Sequence, residues 1–396
     1  MAPASAGLSP IRSTLDNGVV VLARETRKTP AVAINLAVRA GSACDPIAMH
    51  QARRTLLARV IDRGTANRSA DQIADEIDGH GITLSINVTR HIFSIVCTAS
   101  RRISTACWTL LGDMVMSPSV PDHELVDATR RVITAIRQDD DSPAVRASEA
   151  LMAMLYGEQH PYGRRAKGSV EIVESLTRDR LLALHRTRFA PPELSAVVVG
   201  DVTTDRVLDA ARRVFSGWRA DKPAPMVLPP VKRATERRQR VIPMMNKAQT
   251  DIAYGFTTIA RDNPAYYAYW LMNVALGRCT RSEEGWATAS GNARGLAYYV
   301  SSSFDANVLE GPLVIRAGVS PANVERAIAS IDEELVRLRL DGLDEKELQD
   351  MKQHADRIDA SRARDRTQAS PISCRRWSSS VSDSITIGVF RISCPR

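Results

Sequence analysis

Asn17-Gly18-Val19-Val20-Val21-Leu22-Ala23 is a turn dipeptide running into a β-rich stretch, and the fold is read outward from it. A second strand is expected over 31–38, followed by a Gly/Asp/Pro loop over 41–46 and a helix over 52–61. Ser69 and Gln72 form a capping-box pair that opens a helix over 70–77, and Gly79 and Gly81 stop it. Strands are then expected over 82–88 and 92–98. Helices are expected over 103–116, 121–138, 143–156 and 178–189, with Thr177 as the N-cap of the last. A short apolar strand, 194–199, precedes a helix capped by Thr204 and ending at Phe215.

The character changes over 219–238, where Pro223, Pro225, Pro229 and Pro230 stand among many charges; this reads as an extended interdomain linker. The pattern then restarts, with strands over 241–245 and 252–256, a helix over 265–276, and a strand pair over 296–303 and 312–319. Ser320-Pro321 opens a helix to Leu340, and another spans 345–358. His123-Glu124-Leu125 matches Lys346-Glu347-Leu348, and each lies after a strand pair and a helix. The sequence is therefore read as a duplicated α+β unit. The expected division is 12–218, linker 219–238, a second unit 239–360 that is incomplete against the first, and a tail 361–396. That tail is rich in Ser and Arg and lacks helical periodicity. It is read as disordered or as the product of a shifted reading frame, and the abrupt loss of the expected helices favours the shift.

The bulk properties narrow the function classes. The chain has 396 residues, 44% hydrophobic and 25% charged, which fits a two-domain globular protein. No apolar run is long enough for a membrane span. The first residues lack a basic-then-apolar signal pattern, so the cytoplasm is the default expectation, with the periplasm left open. The six cysteines form no C-x-x-C pair and are expected to be buried thiols. Net charge is +8, but the tail alone holds seven Arg against two Asp; this distribution argues against a nucleic-acid groove on the folded elements.

Several motifs resemble the insulinase/pitrilysin-type zinc metallopeptidases (inverzincins). They are Leu15-Asp16-Asn17-Gly18, Arg39-Ala40-Gly41-Ser42 before Asp45-Pro46, and Asp62-Arg63-Gly64-Thr65. Further along come His160-Pro161-Tyr162-Gly163-Arg164, Val197-Val198-Val199-Gly200-Asp201 and Gly295-Leu296-Ala297-Tyr298. Their order over about 12–360 carries the resemblance, which extends to mitochondrial-processing-peptidase-like bacterial proteins. It implies two homologous α+β domains, each a mainly antiparallel sheet covered by helices, forming half of a clamshell that holds a peptide. It also implies zinc bound by H-x-x-E-H plus a downstream Glu, because residues four apart share a helix face and the intervening Glu serves as general base.

Aligned on the Arg63-Gly64-Thr65 end, the family's two His positions fall on Thr55 and Arg59, its Glu on Ala58 and its downstream Glu ligand on Ala135. No catalytic residue, metal ligand or cofactor is therefore expected here, although zinc would be the family's cofactor. Elsewhere, His50, His80 and His91 are unpaired by spacing, Asp139-Asp140-Asp141 is expected to be a solvated helix end, and Glu124 beside His123 a surface pair. His160 is expected to anchor its loop. The family's substrate-holding Tyr matches Tyr298, while its partner Arg falls on Gly291, with Arg294 three residues off. The resemblance thus implies a degenerate, non-catalytic subunit. Its expected partners are an active subunit of the family or a second copy, together with a peptide substrate; no nucleic acid and no membrane is expected. An active zinc endopeptidase with unrecognised ligands and a truncated, damaged gene product are the alternatives.

Overall fold

The computed structural model describes residues 10–44, 52–102, 104–278, 297–353 and 388–391. These divide into two compact units. The first takes the described residues of 10–136 and 165–228, and the second takes 137–164, 229–353 and 388–391. Both are α+β.

The first unit is built on a six-stranded sheet. In chain order its strands are β1 (Ile11–Thr14), β2 (Val20–Glu25), β3 (Ala31–Val38), β4 (Thr83–Val88), β5 (Phe93–Ser100) and β6 (Leu194–Gly200). The spatial order is β1-β2-β6-β3-β5-β4, and every pair is antiparallel except β2 with β6. Alternation sets the buried face: Phe93, Ile95, Cys97 and Ala99 of β5, and Leu194, Ala196 and Val198 of β6, point into the core, while their neighbours are half-buried. The helices are α1 (Ala52–Leu57), α2 (Ala70–Gly79), α3 (Ser104–Met116), α4 (Asp122–Asp140, whose last turn belongs to the second unit), α6 (Val170–Glu174), α7 (Arg178–Arg188) and α8 (Thr204–Phe215). Trp108 of α3 meets Phe215 of α8 edge-on with ring centroids 6.1 Å apart. The two helices approach closely because residue 112 is glycine: a Cβ there would lie 2.3 Å from Val214 Cγ1.

Several local expectations hold. Ser69 Oγ accepts from Gln72 N–H, while Gln72 Oε1 accepts from Ser69 N–H, so the capping box is complete. Thr177 caps α7 through its side chain. The N-cap of α8 is Thr203 rather than Thr204, and it makes no side-chain cap bond; Glu25 Oε1 instead accepts from Thr204 N–H at 2.7 Å. The helix expected over 52–61 is shorter. It ends at Leu57, and Arg59 N–H and Val60 N–H bond three residues back, to Leu56 and Leu57, in tight turns.

The second unit holds a five-stranded sheet of β7 (Arg238–Val241), β8 (Thr250–Thr257), β9 (Ala297–Phe304), β10 (Pro312–Val319) and β11 (Gly388–Arg391), ordered β7-β11-β8-β10-β9. All pairs are antiparallel except β11 with β7. Residues 250–256 of β8 are buried without alternation, the signature of a strand covered on both faces. One cover is α5 (Pro143–Tyr156), which packs on β8 and places residues 137–164 in this unit. The approach of α5 is tight: a Cβ on Gly255 would sit 2.5 Å from Leu313 O and 3.2 Å from Leu151 Cδ2. The other helices are α9 (Tyr266–Arg278), α10 (Val324–Leu340, entered through a 3-10 turn at Pro321–Asn323) and α11 (345–353).

Two expectations are corrected here. The strand expected over 241–245 lies instead at Arg238–Val241, because Pro243 has no N–H to give to a ladder. The tail, expected to be either disordered or frame-shifted, contributes Gly388–Arg391, which pairs with both β7 and β8. The remainder of 361–396 lies outside the described residues, as do Cys279, Cys374 and Cys394. Cys44, Cys97 and Cys107 are buried free thiols, as expected. The hydrogen bond with the Cys107 thiol, together with burial, pushes the Cys97 thiol far above its ordinary range, which keeps it an unreactive thiol.

Candidate functional site

The positions that the resemblance assigns to metal and general base lie on α1, the turn after it, and α4. Thr55 is half-buried on α1, and its hydroxyl donates to Ala166 O at 3.0 Å. Ala58 is half-buried and Arg59 exposed, both in the turns beyond the end of the helix. Ala135 is half-buried on α4, beside the core residues Val132 and Ile136. The four side chains offer one hydroxyl already bonded to a carbonyl, two methyl groups and one guanidinium. Neighbouring Arg54 is 1% exposed, so a guanidinium is buried one residue before Thr55 on α1.

The other candidates are placed as follows. His50 lies outside the described residues; His80 is the exposed C-cap of α2, and His91 is buried in the turn between β4 and β5. Asp140 and Asp141 pair with Arg146 and Lys247 at 3.4 and 2.8 Å. His123 is exposed and Glu124 half-buried at the start of α4. Among the described residues, no group of three or more His, Cys, Asp or Glu side chains is placed to hold a metal ion. Asp62 has its carboxyl raised by burial, partly opposed by Arg63.

His160 anchors the second unit's loop, as expected. Its Nδ1 accepts from Tyr162 N–H at 3.0 Å, which leaves Nε2 to donate to Pro229 O at 3.0 Å. Its ring stacks on Tyr156, with Tyr162 edge-on to both. Tyr162 Oη accepts from Leu309 N–H and Tyr156 Oη donates to Glu310 O, so the aromatic cluster holds the turn before β10.

Tyr298 sits on β9, one of the two edge strands of its sheet among the described residues. Tyr299 pairs with Gly318 and Ala297 with Val319, leaving Tyr298 as the extra residue of a β-bulge, 68% exposed. The adjacent Tyr299 is tied down: its hydroxyl donates to the buried Asp251 carboxylate, and a Cβ on Gly318 would touch its ring. Burial and the Asp251 bond push the Tyr299 hydroxyl well above the ordinary phenol range. Gly291 and Arg294 lie outside the described residues.

The sequence reading missed His185, which is buried on α7 with Nε2 2.7 Å from Val115 O in the last turn of α3. It also missed the bulge at Tyr298. Only a three-dimensional register reveals either.

A family model described as "Peptidase M16 inactive domain" matches residues 175–354. An uncharacterized zinc protease of Mycobacterium tuberculosis is 26% identical over 354 residues, covering 87% of this chain and 78% of that protein. Another, from Streptomyces coelicolor, is 25% identical over 85% of this chain and 73% of its own length. The fold is shared over nearly the whole chain with a peptidase M16 inactive domain from Pseudomonas fluorescens, at a TM-score of 0.84, 20% identity and 98% coverage of both chains. In sequence over residues 175–354, and in fold over nearly its whole length, the chain is similar to the insulinase/pitrilysin, or M16, peptidases. A protease from Helicobacter pylori has the same fold, with a TM-score of 0.82 and 18% identity over 90% of this chain and 86% of its own. The periplasmic protease PqqL of Escherichia coli matches 92% of this chain with 42% of its own length, at a TM-score of 0.72 and 16% identity. No helix among the described residues is long and apolar enough to cross a membrane. Zinc, the metal implied by the M16 family, does not fit the residues present at 55, 58, 59 and 135, since they offer neither imidazole nor carboxylate.

Proposed function

We propose that this M16-like chain is a non-catalytic subunit that forms a peptide-holding chamber with an active zinc-peptidase partner. The observation that carries the reading is the side-chain set at Thr55, Ala58, Arg59 and Ala135. A zinc-bound hydroxide needs imidazole or carboxylate ligands and a nearby base. A guanidinium about 4 Å from a dication would instead cost roughly 8 kcal/mol at an effective dielectric constant near 20. The peptide-holding role rests on β9. Among the described residues its only ladder partner is β10, so its outer edge is available for backbone pairing with an extended peptide, and Tyr298 projects from the bulge beside it.

The test is peptide hydrolysis by the purified chain alone, and then mixed with an H-x-x-E-H subunit from the same genome. The expected result is no turnover alone with zinc supplied, and turnover above the partner's own rate in the mixture. In that mixture Tyr298→Ala is expected to raise KM with little change in kcat. Chelator-sensitive hydrolysis by this chain alone would favour the alternative, an active endopeptidase with unrecognised ligands.

A further inference from the structure

The carboxyl ends of three strands of the first unit meet around a hollow of about 690 Å³. Glu25 ends β2, Ser100 ends β5 and Gly200 ends β6. The segments beyond them are stitched together through the start of β3: Arg101 N–H bonds Pro30 O, Asp201 N–H bonds Ala31 O, and Thr26 N–H bonds Gly200 O. The hollow is lined by Arg27, Arg101, Arg102 and Arg206 against Glu25 and Asp201, a net charge of +2. Both carboxylates are engaged, Asp201 with Arg101 at 3.0 Å and Glu25 with Thr204 N–H at 2.7 Å. Arg27, Arg102 and Arg206 form no ion pair among the described residues. Three guanidiniums from separate parts of the chain therefore face one concavity without an ion-pair partner among the described residues, and the Glu25 carboxylate in the same lining leaves the excess at +2. The hollow lies at the amino end of β3, whereas α1, with Thr55, follows the strand's carboxyl end, so the chemistry at residues 55–59 does not account for it.

We propose that this hollow is a binding site for an oligoanion, a ligand carrying several phosphate or carboxylate groups held by Arg27, Arg102 and Arg206. Guanidinium forks pair bidentately with both kinds of oxyanion, and concentrating positive charge in a concavity attracts multivalent anions over monovalent ones.

The experiment is calorimetric titration of the full chain with tripolyphosphate, at about 50 mM and again at about 300 mM NaCl. The expected result is saturable one-to-one binding that weakens as salt rises. Arg102→Ala/Arg206→Ala should weaken it at least about tenfold, which corresponds to about 1.4 kcal/mol. Arg102→Lys/Arg206→Lys should fall between, because the charge is kept and the fork lost. A control pair on exposed helix faces, Arg130→Ala/Arg213→Ala, should leave binding unchanged. A parallel titration with citrate separates the sources: much weaker binding points to a phosphate ligand, and comparable binding to a carboxylate-rich one. No saturable binding, or an equal loss in the control pair, would overturn the site.

Discussion

The proton on His185 sets a measurable part of the stability of the first unit. The imidazole is buried and packs on Phe189 with centroids 4.5 Å apart and the rings tilted by 31°. Burial is the main reason its pKa falls from 6.5 to about 4; its hydrogen bond with Val115 O opposes the shift, and Arg186 adds to it. The native state therefore keeps the ring neutral where the unfolded chain takes up a proton. The stabilisation is fully present above pH 6.5 and is lost as pH falls towards 4. Between those limits the unfolded state binds one more proton, a slope of about 1.4 kcal/mol per pH unit and a total of about 3 kcal/mol. His185→Gln removes the titration while keeping an N–H that can reach Val115 O. Urea unfolding of both proteins from pH 7.5 to pH 4.5 gives the comparison. The wild type should lose stability relative to the variant on acidification, by roughly 2–3 kcal/mol at the lowest pH. Parallel pH profiles would instead place a charged or solvated imidazole at this position.

Two further substitutions test the packing. Gly255→Ala places a Cβ against the Leu313 carbonyl, which is backbone and cannot rotate away; thermal unfolding should show a loss of about 1–3 kcal/mol. Trimming Leu151 to Ala in addition should not restore it, and restoration would show that α5 rather than the ladder sets the clearance. Ser69→Ala removes the acceptor of Gln72 N–H and should cost about 1 kcal/mol in the same assay. Because the box is reciprocal, Gln72→Ala on top of it should cost less than the sum of the single changes, and simple additivity would contradict the mutual bonding.

Local signals carried a large share of the fold. The bounds of α5 and β10, the capping box at Ser69 and the N-cap at Thr177 are all legible from spacing and residue type, since each depends on neighbours within a few positions. What escaped the sequence is long-range. The apolar stripe of α5 announces a buried face, but nothing in it says that the face rests on β8, about a hundred residues later. The early end of α1 reflects backbone bonds at Arg59 and Val60 that helix periodicity does not report. At the candidate site, the identities at 55, 58, 59 and 135 needed only the sequence. The bulge that exposes Tyr298 needed the register of β9 on β10. The arginine hollow joins residues 25–27, 101–102 and 201–206, which share no local motif.

Zinc content per chain separates a metal-free subunit from a metallopeptidase. The chain is purified without a metal-affinity step, dialysed against buffer with trace zinc and analysed for elemental content. Less than about a tenth of an equivalent is expected, because Thr55, Ala58, Arg59 and Ala135 offer neither imidazole nor carboxylate. Close to one tightly held equivalent, lost on chelation together with peptide hydrolysis, would contradict a non-catalytic role.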